Sequence, residues 1–297
     1  MNHTGCILCA SGRYCSRKGN SSYTALCFPG YYCVAGAVNG RGWTGALGGE
    51  GGQCPPGHYC PEGTESPYQY PCPPGTYQPE FGATNASQCL VCPPGYYCHT
   101  YGMRNVTTYC DEGYYCPRGC TDAKCSNGPC QTNCTQSVGG ACPPGHFCPL
   151  STTVYPMFTV KAVTTKIGAI VPISCPDGWY TSDYGNAVCK ECPFGYYCPM
   201  GTSDPNECPA GSYCPGRTGS TIPKCPKGSY SEIRGLNTST QCRLCPGGRY
   251  CPSEGLTSPA GMCVAGFYCT LGALDPFGIV GVLGGGDVEF PRDTNNR

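Results

Sequence analysis

One seven-residue pattern, Cys-x-x-Gly-x-aromatic-Cys, recurs along the chain and constrains its fold more than any other feature. Ten complete copies have Gly at the fourth position and Tyr or Phe at the sixth; they begin at Cys9, Cys27, Cys54, Cys92, Cys110, Cys142, Cys192, Cys208, Cys245 and Cys263. Three further copies keep Cys-x-x-Gly-x-Tyr without the closing Cys and begin at Cys72, Cys175 and Cys225. Dense repetition of one short motif indicates an array of small units rather than one globular domain.

Each letter of the motif has a physical reason. Gly at the fourth position suits a turn with positive φ, where a Cβ atom would clash. Pro, which often follows the first Cys, fixes φ and removes a hydrogen-bond donor. The aromatic ring before the second Cys is large enough to cover a disulfide and shield it from water. We therefore expect tyrosines and disulfides to supply most of the core.

The composition supports a disulfide scaffold. The 297 residues include 31 Cys but only 40 Leu, Ile, Val and Phe together, too few aliphatic side chains for one large core. Cysteine at this density is typical of small extracellular scaffolds. The predicted fold class is small disulfide-rich repeats in an extended tandem array, mostly loops and short β-hairpins with little helix.

The three incomplete motifs each open a group of six cysteines that spans about 40 to 45 residues, a length typical of linear repeats. The segments that we predict are a partial cysteine-rich repeat at 1–33, a Gly-rich loop with an extra Cys pair at 34–71, a cysteine-rich repeat at 72–119, a Cys-rich insert at 120–150, a β-strand-like segment at 151–174, cysteine-rich repeats at 175–224 and 225–269, and a Gly-rich apolar tail at 270–297. Cys6 fits the register of a repeat whose first Cys is missing, so we expect the sequence to start inside a repeat.

The constant spacing between neighbouring motifs suggests a disulfide connectivity. Motif cysteines recur 18 residues apart in three places and 16 apart in another, so two motifs could lie side by side, bonded first-to-first and second-to-second. The proposed pairs are Cys9–Cys27, Cys15–Cys33, Cys92–Cys110, Cys98–Cys116, Cys192–Cys208, Cys198–Cys214, Cys245–Cys263 and Cys251–Cys269, with module-opening pairs Cys72–Cys89, Cys175–Cys189 and Cys225–Cys242. Loops of this length each contribute about 3 kcal/mol by restricting the unfolded chain. The spacing leaves open the partners of Cys6, Cys54, Cys60, Cys120, Cys125, Cys130, Cys134, Cys142 and Cys148.

Charge and hydropathy exclude several partners. With 18 basic and 18 acidic residues the formal net charge is zero, and no basic patch for nucleic acid is present. No stretch reaches the roughly 20 apolar residues of a membrane span.

Candidate N-glycosylation sequons lie at Asn2, Asn20, Asn85, Asn105, Asn133 and Asn237. Beside so many cysteines they favour a secreted, extracellular protein with N-linked glycans and no other cofactor.

Metal binding and catalysis fit the pattern less well. Cys-x-x-Cys pairs are half of a zinc site, but His58 and His146 occupy the variable fifth position of the motif, where a ligand should be constant. A thioredoxin-like redox centre needs one Cys-x-x-Cys in a βαβ context, and hydrolase signatures are missing from the sequence. We expect no catalytic residue, no metal site and no enzyme activity.

The pattern C-P-P-G-T-Y…C-x-x-C-P-P-G-Y-Y-C resembles the ephrin-receptor-like (GCC2/GCC3) cysteine-rich repeat. More distantly it is similar to the cysteine-rich modules of tumour necrosis factor receptors and the growth-factor-receptor superfamily. The resemblance covers 175–269 well, and 6–33 and 54–148 in part. It implies small, loop-rich, extended modules without catalytic residues, as in receptor ectodomains and in secreted or surface-fibre proteins such as mastigoneme-like flagellar hair proteins.

Two functions of different class remain open. The first is a structural glycoprotein subunit of an extracellular filament, sheath or flagellar appendage, which stacks head to tail and self-associates. The strand-like 151–174 segment or the apolar tail could then dock on a neighbouring subunit. The second is a receptor or adhesion ectodomain that binds a protein ligand. The neutral charge and abundant Gly and Tyr favour the first.

Overall fold

A computed structural model describes residues 7–19, 21–44, 51–126, 139–150 and 168–278. The chain divides into two compact units. The N-terminal unit comprises Met1–Pro143, Phe147–Ile173 and Tyr184–Val188; the C-terminal unit comprises Pro144–His146, Ser174–Asp183 and Cys189–Arg297. The predicted strand-like segment falls mostly on 151–167, outside the described residues, as does most of the apolar tail.

The regular structure consists of very short antiparallel hairpins, as the sequence predicts. Every strand in the described ranges is two residues long. The paired strands are Arg13–Tyr14 with Ala25–Leu26, Tyr31–Tyr32 with Gly52–Gln53, Thr76–Tyr77 with Leu90–Val91, Tyr114–Tyr115 with Gly140–Ala141, Trp179–Tyr180 with Lys190–Glu191, Tyr196–Tyr197 with Asn206–Glu207, Ser229–Tyr230 with Arg243–Leu244, and Arg249–Tyr250 with Gly261–Met262. Two more strands are His146–Phe147 and Ile173–Ser174.

All the hairpins have one register relative to the motif. The fifth and sixth residues of one motif pair with the two residues that precede the next motif, as when Tyr196 faces Glu207 and Tyr197 faces Asn206. Where a hairpin shortens to a single bridge, the same positions meet. Those bridges are His58 to Pro71, Tyr96 to Tyr109 and Ser212 to Lys224. The aromatic dipeptide of the motif is therefore the first strand of a hairpin that leads into the next motif.

Helix is limited to two single turns of 3₁₀ type in the described part of the chain. One turn spans Ala86–Gln88, and the side chain of its N-cap residue, Asn85, accepts a hydrogen bond from the backbone of Ser87. The other turn spans Ser239–Gln241, and the Gln241 side chain accepts the backbone N–H of Thr238 at 3.3 Å. Each turn precedes a module-closing cysteine.

The side-by-side disulfide ladder predicted from the spacing is wrong. The structure closes each complete motif on itself, first Cys to last. The observed bonds are Cys9–Cys15, Cys27–Cys33, Cys54–Cys60, Cys92–Cys98, Cys110–Cys116, Cys142–Cys148, Cys192–Cys198, Cys208–Cys214, Cys245–Cys251 and Cys263–Cys269. They replace the eight predicted pairs Cys9–Cys27, Cys15–Cys33, Cys92–Cys110, Cys98–Cys116, Cys192–Cys208, Cys198–Cys214, Cys245–Cys263 and Cys251–Cys269. The turn inside the motif brings the two Cα atoms to 5.8–6.2 Å, the ordinary separation for a disulfide.

The three module-opening bonds agree with the sequence prediction. Where a motif lacks its closing Cys, the opening Cys bonds to a cysteine 14 or 17 residues later. These bonds are Cys72–Cys89, Cys175–Cys189 and Cys225–Cys242. The structure also pairs Cys120 with Cys125, which the sequence left open. Cys6, Cys130 and Cys134 lie outside the described residues.

Cysteine forms most of the core. The buried hydrophobic residues of the described ranges are chiefly cysteines, with few aliphatic or aromatic side chains among them, such as Phe147 and Leu236. Tyrosines pack onto the disulfides as expected: Tyr14 and Tyr31 contact the cluster around Cys27 and Cys33. Ten disulfides that close six-residue loops each contribute about 2 kcal/mol by restricting the unfolded chain, which offsets part of the missing aliphatic burial.

Candidate functional site

The candidate site is the backbone surface along which successive motifs stack, and it begins with the turn inside each motif. In CPPGHYC at 54–60, the His58 N–H donates to the Pro55 carbonyl at 3.2 Å, and Gly57 has φ of +86°. Pro followed by Gly at the two central positions is the signature of a type II turn, which requires positive φ at the Gly. The turn reverses the chain and leaves the Gly57 N–H and C=O facing the next motif.

Two hydrogen bonds link each motif to the next. The Gly30 N–H donates to the Cys60 carbonyl at 2.8 Å, and the Cys54 N–H donates to the Gly30 carbonyl at 2.9 Å. Equivalent pairs, at 2.7–3.2 Å, join all twelve successive motif pairs of the described ranges, six in each compact unit. The motif glycine is thus the donor and the acceptor of a repeated backbone step.

The step uses backbone atoms only, so it tolerates loss of the closing Cys. In the three incomplete motifs the closing position holds Gln78, Thr181 or Ser231, and the carbonyl of each accepts the same glycine N–H. All three side chains are buried, and the Thr181 hydroxyl donates to the His146 carbonyl at 3.1 Å. These three residues fill the place of a disulfide without interrupting the stack.

A second turn, which has Gly three or four residues after the closing position in eleven of the thirteen motifs, completes the step. The Gly63 N–H donates to the Cys27 carbonyl at 2.9 Å, and the Cys33 N–H donates to the Thr64 carbonyl at 3.0 Å. Gly63 has φ of +80°. We call this feature the second turn. Sequence reasoning missed it, although its signal, a Gly three or four residues after most closing positions, is present in the sequence.

The second turn packs directly against an earlier motif glycine. A Cβ atom placed on Gly57 would lie 2.2 Å from the Gly102 carbonyl oxygen, far closer than any real contact. Ten of the motif glycines face such a backbone oxygen at 2.1–2.8 Å; they are Gly12, Gly30, Gly57, Gly75, Gly113, Gly145, Gly178, Gly195, Gly211 and Gly228. Glycine is therefore required at these positions for two reasons. It adopts positive φ without strain, and it has no side chain to clash with the neighbouring carbonyl oxygen.

Arg217 replaces glycine at one of the second turns. It occupies the glycine position with φ of +68°, a conformation that costs a residue with a Cβ about 1 kcal/mol or more. Its guanidinium lies 4.8 Å from the centroid of the Trp179 ring and 3.0 Å from the Glu191 carboxylate. Trp179 and Glu191 face each other across the hairpin that leads from the motif at Cys175 to the motif at Cys192, so this hairpin fixes both partners. This triad compensates part of the strain.

The longer segments leave the stack intact. After Cys148 the chain is outside the described residues from 151 to 167, and Ala169 then accepts the Cys116 N–H at 2.9 Å. Ala169 occupies the place that Thr64 has in a short step. The predicted Gly-rich loop likewise ends in the strand Gly52–Gln53, which pairs with Tyr31–Tyr32. Insertions therefore fall beside second turns, away from the hydrogen bonds of the step.

Three of the predicted glycosylation sequons fall on described residues. Asn85 and Asn105 are exposed, and Asn237 is half-buried. The Asn85 side-chain oxygen accepts from both the backbone N–H and the hydroxyl of Ser87, which fixes the sequon in a turn. Asn2, Asn20 and Asn133 lie outside the described residues.

The histidines and the densest sulfur cluster have structural surroundings. His58 and His146 each place Nδ1 near a proline carbonyl of their own motif, at 3.4 and 3.1 Å. The sulfurs of Cys116, Cys120 and Cys125 lie within 4.8 Å of one another, but all three belong to disulfides. Zinc and nucleophilic chemistry need thiolates, so in this state the cluster is two adjacent cross-links.

No model of a known protein family matches the chain, and no curated protein matches it either. Within the described ranges, no helix has the length and apolar character needed to cross a lipid bilayer. The extensive disulfides are compatible with an extracellular protein.

Proposed function

We propose that this is a secreted, extracellular structural protein, a disulfide-stapled glycoprotein subunit of a filament, sheath or flagellar appendage. The supporting observation is the backbone step that joins twelve successive motif pairs. Because the step depends on glycine and on main-chain groups, it can be repeated along an array whose side chains vary. The proposed role is mechanical, without catalysis.

The distribution of rigid and variable positions supports the proposal. The cysteines and glycines of the step are mostly buried, whereas the position just before the second-turn glycine is exposed and differs from motif to motif. It holds Phe81, Tyr101, Tyr184, Met200 and Leu271, among other residues, in successive copies. A constant scaffold with a changing surface suits a structural array better than one concentrated recognition site.

Glycosylation fits the same role. The exposed sequons at Asn85 and Asn105 lie outside the backbone step, so sugars attached there would coat the array without blocking it. We propose N-linked glycans at these positions.

Negative-stain microscopy of native material tests the proposal. Regular filaments are expected, and a thiol reductant is expected to loosen them because the core is disulfide-bonded. A monodisperse monomer that binds a soluble protein with nanomolar affinity would instead favour the receptor or adhesion function.

A further inference from the structure

Two disulfides of the N-terminal unit lie side by side, and we call them the paired disulfides. Cys110–Cys116 closes its motif, and Cys120–Cys125 follows it directly in the chain. The sulfurs of Cys116, Cys120 and Cys125 lie within 4.8 Å of one another, and no other three cysteines of the described ranges form such a group. All four cysteines are buried in one cluster, where Cys125 is the most exposed at 6%.

The second of the paired disulfides is additional to the backbone step. The Cys98 N–H donates to the Cys120 carbonyl at 2.9 Å, just as the Cys33 N–H donates to the Thr64 carbonyl at 3.0 Å. The Thr64 hydroxyl donates at 2.6 Å to the carbonyl three residues before it, and the Cys120 sulfur lies 3.2 Å from the corresponding carbonyl. Cys120 therefore occupies a position where a threonine suffices for the stack, so the stack does not account for its sulfur.

Its partner, Cys125, is held in a strained turn. Cys125 has φ of +48°, a left-handed conformation that disfavours a residue with a Cβ atom. Its N–H donates to the Asp122 carbonyl at 3.1 Å, and the Asp122 carboxylate accepts the Lys124 N–H at 2.9 Å. Cleavage of the bond to Cys125 would let this turn relax, whereas the backbone step would keep Cys120 in place beside Cys116. Of the two freed sulfurs, Cys120 is the one positioned to react again.

We propose that the paired disulfides are an exchange site for a dithiol reductant, which moves the cross-link of the motif from Cys110–Cys116 to Cys116–Cys120. A thiolate of the dithiol attacks the Cys125 sulfur, and Cys120 leaves as a thiolate. The second thiol of the dithiol displaces the first and leaves a Cys125 thiol, while the dithiol becomes a disulfide. The Cys120 thiolate attacks the Cys116 sulfur, and Cys110 leaves as a thiolate that takes up a proton. The dithiol thus supplies two electrons and two protons, and the protein keeps one disulfide and gains two thiols.

The exchange acts on the longest hydrogen bond of its kind in the stack. The Cys110 N–H donates to the Gly95 carbonyl at 3.2 Å, the longest of the twelve equivalent bonds, and the same carbonyl accepts the Gly168 N–H at 3.2 Å. Once Cys110 is released, its motif loop is open and this shared contact loses the cross-link beside it. The site is therefore a joint of the array that a dithiol loosens while the other motifs stay closed.

Tryptic mapping distinguishes the two cross-link patterns because trypsin cleaves after Arg118 and Lys124. Both cysteines of the motif fall in the peptide 105–118, and Cys120 falls in the peptide 119–124. Full-length protein is treated briefly with dithiothreitol, quenched with acid, alkylated, freed of N-glycans and digested without further reduction. The expected product is the two peptides joined to each other by a disulfide.

The alkylated positions complete the readout. Alkyl groups are expected on Cys110 and Cys125, while Cys92–Cys98, the equally buried bond of the adjacent motif, stays closed as the reference. An intact Cys110–Cys116 bond beside two alkylated cysteines of the second disulfide would show reduction without exchange and would overturn the proposal. Opening of Cys92–Cys98 before either of the paired disulfides would overturn it as well.

A double variant tests whether Cys120 is the attacking group. Cys120→Thr combined with Cys125→Ser keeps a residue that the step accepts at this position and removes the internal nucleophile. The first of the paired disulfides should then open at least tenfold more slowly under the same treatment. The control, Cys225→Ser with Cys242→Ser, removes one disulfide of the C-terminal unit and should leave that rate unchanged. Equal rates in the two variants contradict the proposal.

Discussion

Two glycines in each step meet different physical demands at the scale of single residues. In ten of the described motifs, the motif glycine adopts positive φ and also faces a neighbouring carbonyl at a distance that no Cβ could share. The second-turn glycine needs positive φ, but at Gly185 and Gly201 the space beside it is open or in ordinary contact. In those ten motifs the glycine position should therefore be intolerant of every side chain, whereas the second turn can accept one, as Arg217 demonstrates.

We predict that Gly211→Ala destabilises its motif more than Gly248→Ala does. Both glycines have φ near +80°, so both variants lose about 1–2 kcal/mol to the left-handed conformation. Only at Gly211 would the new Cβ meet a carbonyl oxygen, at 2.3 Å, which adds about 1–3 kcal/mol of overpacking. Hydrogen-exchange mass spectrometry on dilute protein measures both losses as local opening free energies. Equal losses would show that φ alone selects glycine.

Arg217 gives a second residue-scale prediction. Arg217→Gly relieves the backbone strain but loses the Trp179 and Glu191 contacts, whereas Arg217→Ala loses the contacts and keeps the strain. The Gly variant should therefore be more stable than the Ala variant by about 1 kcal/mol. Urea titration followed by Trp179 fluorescence in a Trp43→Phe background measures the difference. An Ala variant as stable as the Gly variant would contradict the assigned strain.

At the scale of elements, the seven-residue motif is the independent unit, because its type II turn closes its own disulfide. The step between motifs then varies from 16 to 33 residues without changing its hydrogen bonds. Spacing alone could not reveal this arrangement. Equal spacing between neighbouring motifs is expected whether the motifs are stacked by hydrogen bonds or cross-linked by disulfides. The turn geometry, which brings the first and last Cys of one motif together, decides between these two arrangements.

Removing one disulfide at a time distinguishes the stability contributed by the short motif loops from that contributed by the longer module-opening loops. Replacing Cys92 and Cys98 together by Ser should cost about 2 kcal/mol of loop entropy, and replacing Cys225 and Cys242 about 3 kcal/mol, since that loop is longer. Each double variant should leave the other bonds unchanged in peptide maps under non-reducing conditions. A Cys98–Cys116 bond in the unmodified protein would support the side-by-side disulfide ladder and contradict the closure of each motif by its own disulfide.

The capped turn at Ala86–Gln88 permits a test of glycosylation that is independent of folding. Asn85→Asp should remove one glycan mass and leave stability within about 0.5 kcal/mol, since Asp caps as well as Asn. Asn85→Ala should remove the same mass and cost about 1 kcal/mol more. Intact-mass spectrometry and urea titration give the two readouts. An unchanged mass in both variants would show that this sequon is not used.

At the scale of the whole molecule, burial of a motif disulfide comes from neighbouring motifs, and Cys9, Cys15 and Cys263 are the first or closing cysteines that are partly exposed among the described motifs. Limited reduction of dilute protein should open Cys9–Cys15 and Cys263–Cys269 before interior bonds such as Cys192–Cys198, which is almost fully buried. Alkylation and mass spectrometry at successive times give the order. Uniform rates in dilute protein would contradict neighbour-dependent burial.

The sequence by itself determined the disulfide-rich class, the short hairpins, the turn glycine and the three module-opening bonds. Each follows from local chemistry, namely cysteine density, Pro-Gly turns and the scarcity of aliphatic side chains. Tertiary structure alone decided that Cys92 bonds to Cys98, that Gly57 faces the Gly102 carbonyl and that the insertions lie beside second turns. The glycine contact and the place of the insertions depend on how one motif stacks on the next, through backbone hydrogen bonds that the side chains do not encode. The Cys92–Cys98 bond depends on the turn within the motif, which brings the two Cα atoms to 5.9 Å.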